Sequence, residues 1–149
     1  MGHVRREDKN MRIRPFHHSD TDATVTLWEE CDLVRPWNDP RKDIARKMQV
    51  QPDLFLVMEH DATVVATAMA GYDGHRGWVY YFAVAPPFQG KGLGRELLGH
   101  VEERLTEMGC PKIQLQVRSG NTETLAFYEH LGYQTYDSYS AGKRLITDR

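Results

Sequence analysis

Hydrophobic and polar positions change period several times along this chain, and each change marks an element. Over residues 11–16 apolar and basic residues alternate, which predicts a strand with Met11, Ile13 and Pro15 on one face. Ser19 and Asp20 offer capping oxygens, and Val25, Leu27 and Trp28 recur at broadly helical spacing over 21–30. A loop is expected over 31–39, broken by Pro36, and Pro40 suits the first turn of a second helix reaching about residue 49. Residues 54–59 and 63–71, rich in Val, Leu, Met and Thr on either side of His60, Asp61 and Ala62, predict a β-hairpin. Gly71, Gly74 and Gly77 punctuate the next turn. The aromatic and β-branched run 78–84 then reads as a buried central strand, stopped by Pro86 and Pro87, which have no N–H to give a ladder.

The period then lengthens again. Leu93, Leu97, Val101, Leu105 and Met108 form one stripe of a long amphipathic helix, with Glu96, Glu103 and Glu107 facing away and Gly109 as its stop. Residues 112–117 alternate as a strand, Asn121 caps a helix to about residue 131, Gly132 ends it, and 133–139 and 141–146 read as two further strands. The succession predicts one α/β domain of the α+β kind over residues 11–149. Its sheet is mixed and mostly antiparallel, with six to seven strands flanked by four helices. Residues 1–10, which include His3, Arg5, Arg6, Glu7, Asp8 and Lys9, are expected to be a solvated tail or an expression remnant.

Composition narrows the function classes. At 149 residues the chain has room for one core, and hence for one active site. Lysine plus arginine total 19 against 21 for aspartate plus glutamate, so no strong field of either sign attracts nucleic acid or an anionic membrane. Cys31 and Cys110 lie far apart with no CxxC partner, which suggests neither a disulfide framework nor zinc. The histidines show no metal-ligand spacing, and no metal is expected. No apolar run approaches the roughly 20 residues that span a bilayer, and the polar start does not resemble a signal peptide, so a reducing, cytoplasmic setting is expected.

The candidate chemistry lies where the central strand stops. A strand end, a glycine-rich turn and a helix beginning inside that turn converge free N–H groups, and the helix dipole adds roughly half a positive charge there, which suits a pyrophosphate. A Cβ at Gly90, Gly92 or Gly94 would hold phosphates off the backbone or forbid positive φ. The spacing is not that of the P-loop, because Gly92 follows Lys91 and the metal-binding hydroxyl is missing. The dinucleotide fingerprint fails as well, since Arg95 stands at its third glycine position.

Gln89-Gly90-Lys91-Gly92-Leu93-Gly94, after a strand ending Val84-Ala85-Pro86, resembles the coenzyme A signature of the GNAT acetyltransferase superfamily, Gln/Arg-x-x-Gly-x-Gly/Ala. Asn121, Ala126, Tyr128, Gly132 and Tyr133 resemble that family's later series of Asn, Ala, Tyr and Gly-aromatic, so the likeness spans essentially the whole domain. The resemblance implies a single-domain GNAT fold in which strands four and five splay apart. It also implies transfer of an acetyl group from acetyl-coenzyme A to a primary amine of a small molecule or peptide, in a monomer or homodimer. On the same ground the main chain of Phe82 and Val84 pairs with the pantetheine arm, Gln89 to Gly94 cradle the pyrophosphate, and Asn121 contacts the arm.

Asn121 and Tyr128 are seven residues apart, about two helical turns, and fall on nearly one side of a helix. An isolated tyrosine there would simply pack into the core. Within this motif set Tyr128 is the candidate general acid for the departing thiolate, with the Val84 N–H stabilising the oxyanion. The base differs from the family's pattern. Ribosomal-protein N-terminal acetyltransferases carry a glutamate where this chain has Gln116, which cannot take a proton, and histone-type relatives carry one where it has Trp78. Asp73 and His75, in the turn before the central strand, are the nearest substitutes, with a solvated turn or ordered water as the alternative. On the acceptor side Arg35 suits a substrate carboxylate and Trp37 its body, or else they are a surface ion-pair partner and a core plug. A non-catalytic acyl-coenzyme A binding module is the other class of reading.

Overall fold

Both sides of the hairpin strands are apolar, so the sheet they build has to be covered on both faces. In the computed structural model, which describes residues 10–148, five strands form one sheet in the order β1-β2-β3-β4-β5. These are β1 (Met11–Pro15), β2 (Phe55–His60), β3 (Thr63–Tyr72), β4 (Gly77–Val84) and β5 (Ile113–Gln114). The helices are α1 (Thr21–Glu30), α2 (Pro40–Lys47), α3 (Leu93–Glu107) and α4 (Thr122–His130). Neighbouring strands pair antiparallel except β4 with β5, which is parallel.

Strand periodicity sorts the core into two layers. Leu54, Leu56 and Met58 pack toward α3, against Leu97, Leu98 and Val101. Phe55 and Val57, one step along, pack toward α1 and α2, against Trp28 and Ile44. Phe16 stacks on Phe55 with ring centroids 4.3 Å apart, which ties the chain after β1 to the second layer. Asp39 starts α2 by accepting from the N–H groups of Arg41 and Lys42, with Pro40 at the position where no N–H is needed. Gly109 and Gly132, both at positive φ, end α3 and α4. No helix among the described residues is long and apolar enough to cross a membrane.

Five strands replace the expected six to seven. Among the described residues no strand occurs in 133–139 or 141–146, and the expected strand 112–117 is reduced to Ile113–Gln114. Alternation describes the two faces of a strand, but a strand also needs an edge to pair with, and β5 ends too soon to offer one. Tyr139, Leu145 and Ile146 are left exposed, and the segment is tied down through side chains instead: Gln116 donates to Ser140 Oγ and Arg144 to Asn38 Oδ1.

Smaller departures have equally local causes. Met108, placed on the apolar stripe, falls past the end of α3 and is exposed. Pro15 is exposed while Met11 and Ile13 are half-buried. Asp20 precedes α1 without a side-chain cap bond. Its carboxylate instead accepts from Arg14 Nη1 and Nη2 at 2.9 and 3.0 Å and from the His17 N–H at 2.8 Å, which holds it below the usual carboxylate range.

Candidate functional site

The site begins with a fault in the sheet. Gly71 pairs with Trp78, Ala70 with Val79 and Met69 with Tyr80, but the register then shifts, so that Thr67 meets Ala83 and Ala66 meets Val84. Two residues of β4, Tyr81 and Phe82, therefore stand against Ala68 alone, which is a β-bulge. Tyr81 takes the turn with φ of +51°, a left-handed conformation that costs a bulky residue on the order of 1–3 kcal/mol. One inserted residue reverses the parity of everything after it. Val79 packs in the α3 layer before the bulge, and Phe82 and Val84, not Tyr81 and Ala83, face that layer after it.

Beyond the fault β4 has an open edge. It pairs with β5 only at Gly77↔Ile113 and Trp78↔Gln114, and the two strands part from there. Gly77 sets the closed end: a Cβ there would lie 2.8 Å from Leu105 Cδ1 and 2.9 Å from Cys110 Sγ, so only glycine lets the end of α3 lie against the strand. The Ala85 N–H donates to the Val65 carbonyl at 2.8 Å, and strand alternation then turns the Val84 main-chain groups to the opposite, unpaired side. The gap between the strands widens into a cleft of about 1940 Å3.

The glycine loop closes one end of this cleft. Gly90 and Gly92 have φ of +77° and +84°, and nothing lies within 4 Å of a Cβ placed on either, so conformation is what demands glycine there. Gly94 is glycine for a different reason, because a Cβ would stand 3.3 Å from both Phe82 Cζ and Phe127 Cζ. Gln89 Nε2 donates to the Val84 carbonyl at 2.8 Å and so ties the loop to the strand end. Gln89, Gly90, Gly92, Leu93 and Gly94 line the cleft, whereas the Lys91 side chain lies outside its lining, with Nζ 5.8 Å from the Phe88 ring centroid.

Helix α4 forms the facing wall. Asn121 Oδ1 caps it by accepting from the Thr124 N–H at 3.3 Å, which leaves its NH2 group uncommitted. Tyr128, 6% exposed, lies among Phe82, Phe127 and Tyr133 with ring centroids 5.2–5.9 Å away, and burial pushes its phenol above the ordinary range. Both residues line the cleft, and the Tyr128 hydroxyl has no hydrogen-bond partner among the described residues. Tyr133, beside it, donates to Glu102 Oε2 at 2.6 Å.

The residues proposed for the acceptor side divide. Arg35 lines the cleft with Cys31, Asp32 and Leu33, its Nη1 bonded to Asp32 Oδ1 at 3.1 Å and to the Val34 carbonyl at 3.2 Å. Trp37 is 50% exposed and outside the cleft lining, so it plugs no core. Asp73 and His75 are also outside it, in the turn joining β3 to β4. Asp73 Oδ1 accepts from the N–H groups of Arg76 and His75 at 2.7 and 2.8 Å, which stabilises the turn and depresses its pKa.

Tyr81, Cys31 and the support beneath the bulge escape a reading by pattern. Cys31 Sγ donates to the Val84 carbonyl at 3.4 Å, and burial raises its thiol. The signal that was present is Thr67, the one polar side chain in the apolar run 64–70 of β3, fully buried there. A lone buried hydroxyl calls for a partner.

Residues 21–133 match the model of the Acetyltransferase (GNAT) family. The chain is 51% identical over 139 residues to an acetyltransferase of Pectobacterium atrosepticum, covering 93% of this chain and 99% of that protein. It is also similar to the solved structure of Ard1 from Thermoplasma volcanium, with a TM-score of 0.74 and 22% identity over 83% of this chain and 82% of that one. A ribosomal-protein alanine N-acetyltransferase from Escherichia coli gives a TM-score of 0.68 and 24% identity over 82% and 76%. At those identities the two structures speak for the fold.

Proposed function

The chain belongs to the GNAT acetyltransferase family, and from that premise we propose that it moves the acetyl group of acetyl-coenzyme A to a primary amine by direct attack on the thioester within the β4–β5 cleft. The observation that carries this reading is the open edge of β4 after Trp78, which leads without interruption to a loop of two left-handed glycines at the mouth of α3. An extended amide-bearing arm fits the first feature and a diphosphate the second.

In this reading the main chain of Phe82 and Val84 pairs with the pantetheine arm. The backbone of Gln89, Gly90, Lys91, Gly92, Leu93 and Gly94 holds the pyrophosphate, and the free NH2 of Asn121 meets the arm near its end. The acceptor nitrogen attacks the thioester carbon while a main-chain N–H of β4 stabilises the oxyanion. The C–S bond then breaks and the thiolate takes the proton of Tyr128, which solvent restores. The acceptor's proton leaves through water, since Gln116 is an amide and Asp73 and His75 lie outside the cleft lining. Arg35, at the other mouth, meets an acidic group of the acceptor. Two free cysteines accord with a reducing, cytoplasmic setting.

The test is calorimetric titration with coenzyme A, followed by thiol release from acetyl-coenzyme A against a panel of amines and peptides. Tyr128→Phe is expected to lower turnover about a hundredfold while coenzyme A affinity holds. Equal turnover in both proteins removes the acid role, and no heat of coenzyme A binding removes the whole reading. Arg35→Ala is expected to raise the acceptor KM about tenfold and leave that of acetyl-coenzyme A unaltered. A parallel rise in both would place Arg35 outside acceptor recognition.

A further inference from the structure

A tyrosine at positive φ in mid-strand persists only where its surroundings over-determine it, and those surroundings lie on the far side of the sheet from the cleft. The bulge leaves the Tyr81 carbonyl without a ladder N–H, and Thr67 Oγ1 supplies the missing donor at 2.9 Å. The same hydroxyl accepts from Trp28 Nε1 at 2.8 Å. The Trp28 ring then stacks on the Tyr81 ring, centroids 3.8 Å apart and planes 14° from parallel, and the Tyr81 hydroxyl donates to Asp43 Oδ2 at 2.6 Å. Thr67 and Trp28 are both 0% exposed, so neither partner is replaceable by water.

We propose that Thr67 and Trp28 are positioning residues for acyl transfer: their hydrogen-bonded relay pins the Tyr81 bulge, and the pinned bulge aims the open-edge amides of Phe82 and Val84 at the acyl carbonyl. The inference rests on the acetyl-coenzyme A reading and assigns the accuracy of its oxyanion contact to a buried pair that touches no substrate. Without the hydroxyl, the Tyr81 carbonyl and the Trp28 N–H are both stranded, and the chain relieves Tyr81 by moving or dissolving the bulge. A register moved by one residue turns Phe82 and Val84 to the wrong face. The glycine loop, which follows Pro86 and Pro87, keeps its own geometry through this change.

The experiment is isotope-edited infrared spectroscopy of carbonyl-13C acetyl-coenzyme A bound to the full chain, with binding of coenzyme A measured by calorimetry on the same samples. In the wild type the thioester carbonyl band is expected below its position in free solution. In Thr67→Val it returns toward the free position, while the coenzyme A dissociation constant stays within about threefold because the phosphate loop is untouched. Thr67→Ser restores the lowered band, and Trp28→Phe, which keeps the stacking and loses only the N–H, gives an intermediate shift. A purely structural Thr67 would lower the unfolding midpoint and leave the band of the folded protein in place, and that result overturns the proposal. So does a wild-type band that never leaves the free position. Failure of the wild type to bind acetyl-coenzyme A at all overturns the acetyltransferase reading beneath it, an outcome distinguishable from the other two.

Discussion

At the scale of single residues the site works by what burial and geometry do to ordinary groups. Tyr128 has no ion-pair partner, and burial alone raises its phenol above the ordinary value near 10. For an acid that must hold its proton until a thiolate appears, the direction is the useful one: the protonated form persists to pH values above the ordinary tyrosine range. The kcat profile for coenzyme A release, followed chromatographically, is therefore expected to show no alkaline limb from this group up to about pH 10. A limb centred near 9 that disappears in Tyr128→Phe would contradict that. The glycines of the loop are separable in the same way. Gly90 and Gly92 are required by φ, and Gly94 by the rings of Phe82 and Phe127, so a motif that reads as one unit in the sequence serves two purposes in the fold.

At the scale of elements the cleft is the consequence of two strands that meet for two residue pairs and then part. Gly77 holds the meeting point, with α3 and Cys110 packed where its side chain would be. Gly77→Ala is expected to cost about 1–3 kcal/mol in urea unfolding, because Leu105 and Cys110 have to move for the methyl group. An unfolding midpoint equal to wild type would show that this junction yields freely. The bulge provides the parting. Its position in β4, between Tyr80 and Ala83, decides which face Phe82 and Val84 present, and neither helix propensity nor strand propensity reports it.

At the scale of the whole molecule the end of the described chain returns to its beginning. Asp148 accepts from Arg46 Nη2 and from the Asp39 N–H, which hold its pKa down at about 2, while Arg46 also bonds Asp43 Oδ1 at 3.1 Å. Asp43 in turn holds the Tyr81 hydroxyl, so the tether reaches the bulge through α2. Because the folded-state pKa lies below the unfolded value near 3.9, the carboxylate contributes stability above about pH 4 and loses it as pH falls toward 2. Wild type and Asp148→Asn should thus differ in urea midpoint at pH 6 and converge near pH 2, and a constant difference across that range would disprove the linkage. Much of this architecture was legible beforehand. The helix 21–30, the hairpin, the proline-stopped strand, the glycine loop and the Asn121 cap follow from local periodicity and turn chemistry, which the chain carries within a few residues of each element. The strand content of 133–146, the shortness of β5, the bulge at Tyr81 and the Trp28–Thr67 relay did not follow. Each depends on what lies across the sheet: an edge to pair with, a register between strands, or a hydroxyl meeting an indole 39 positions away in sequence. Local sequence therefore determined which segments fold and where an anion loop stands, and tertiary contact alone decided where the sheet opens and which amides face the opening.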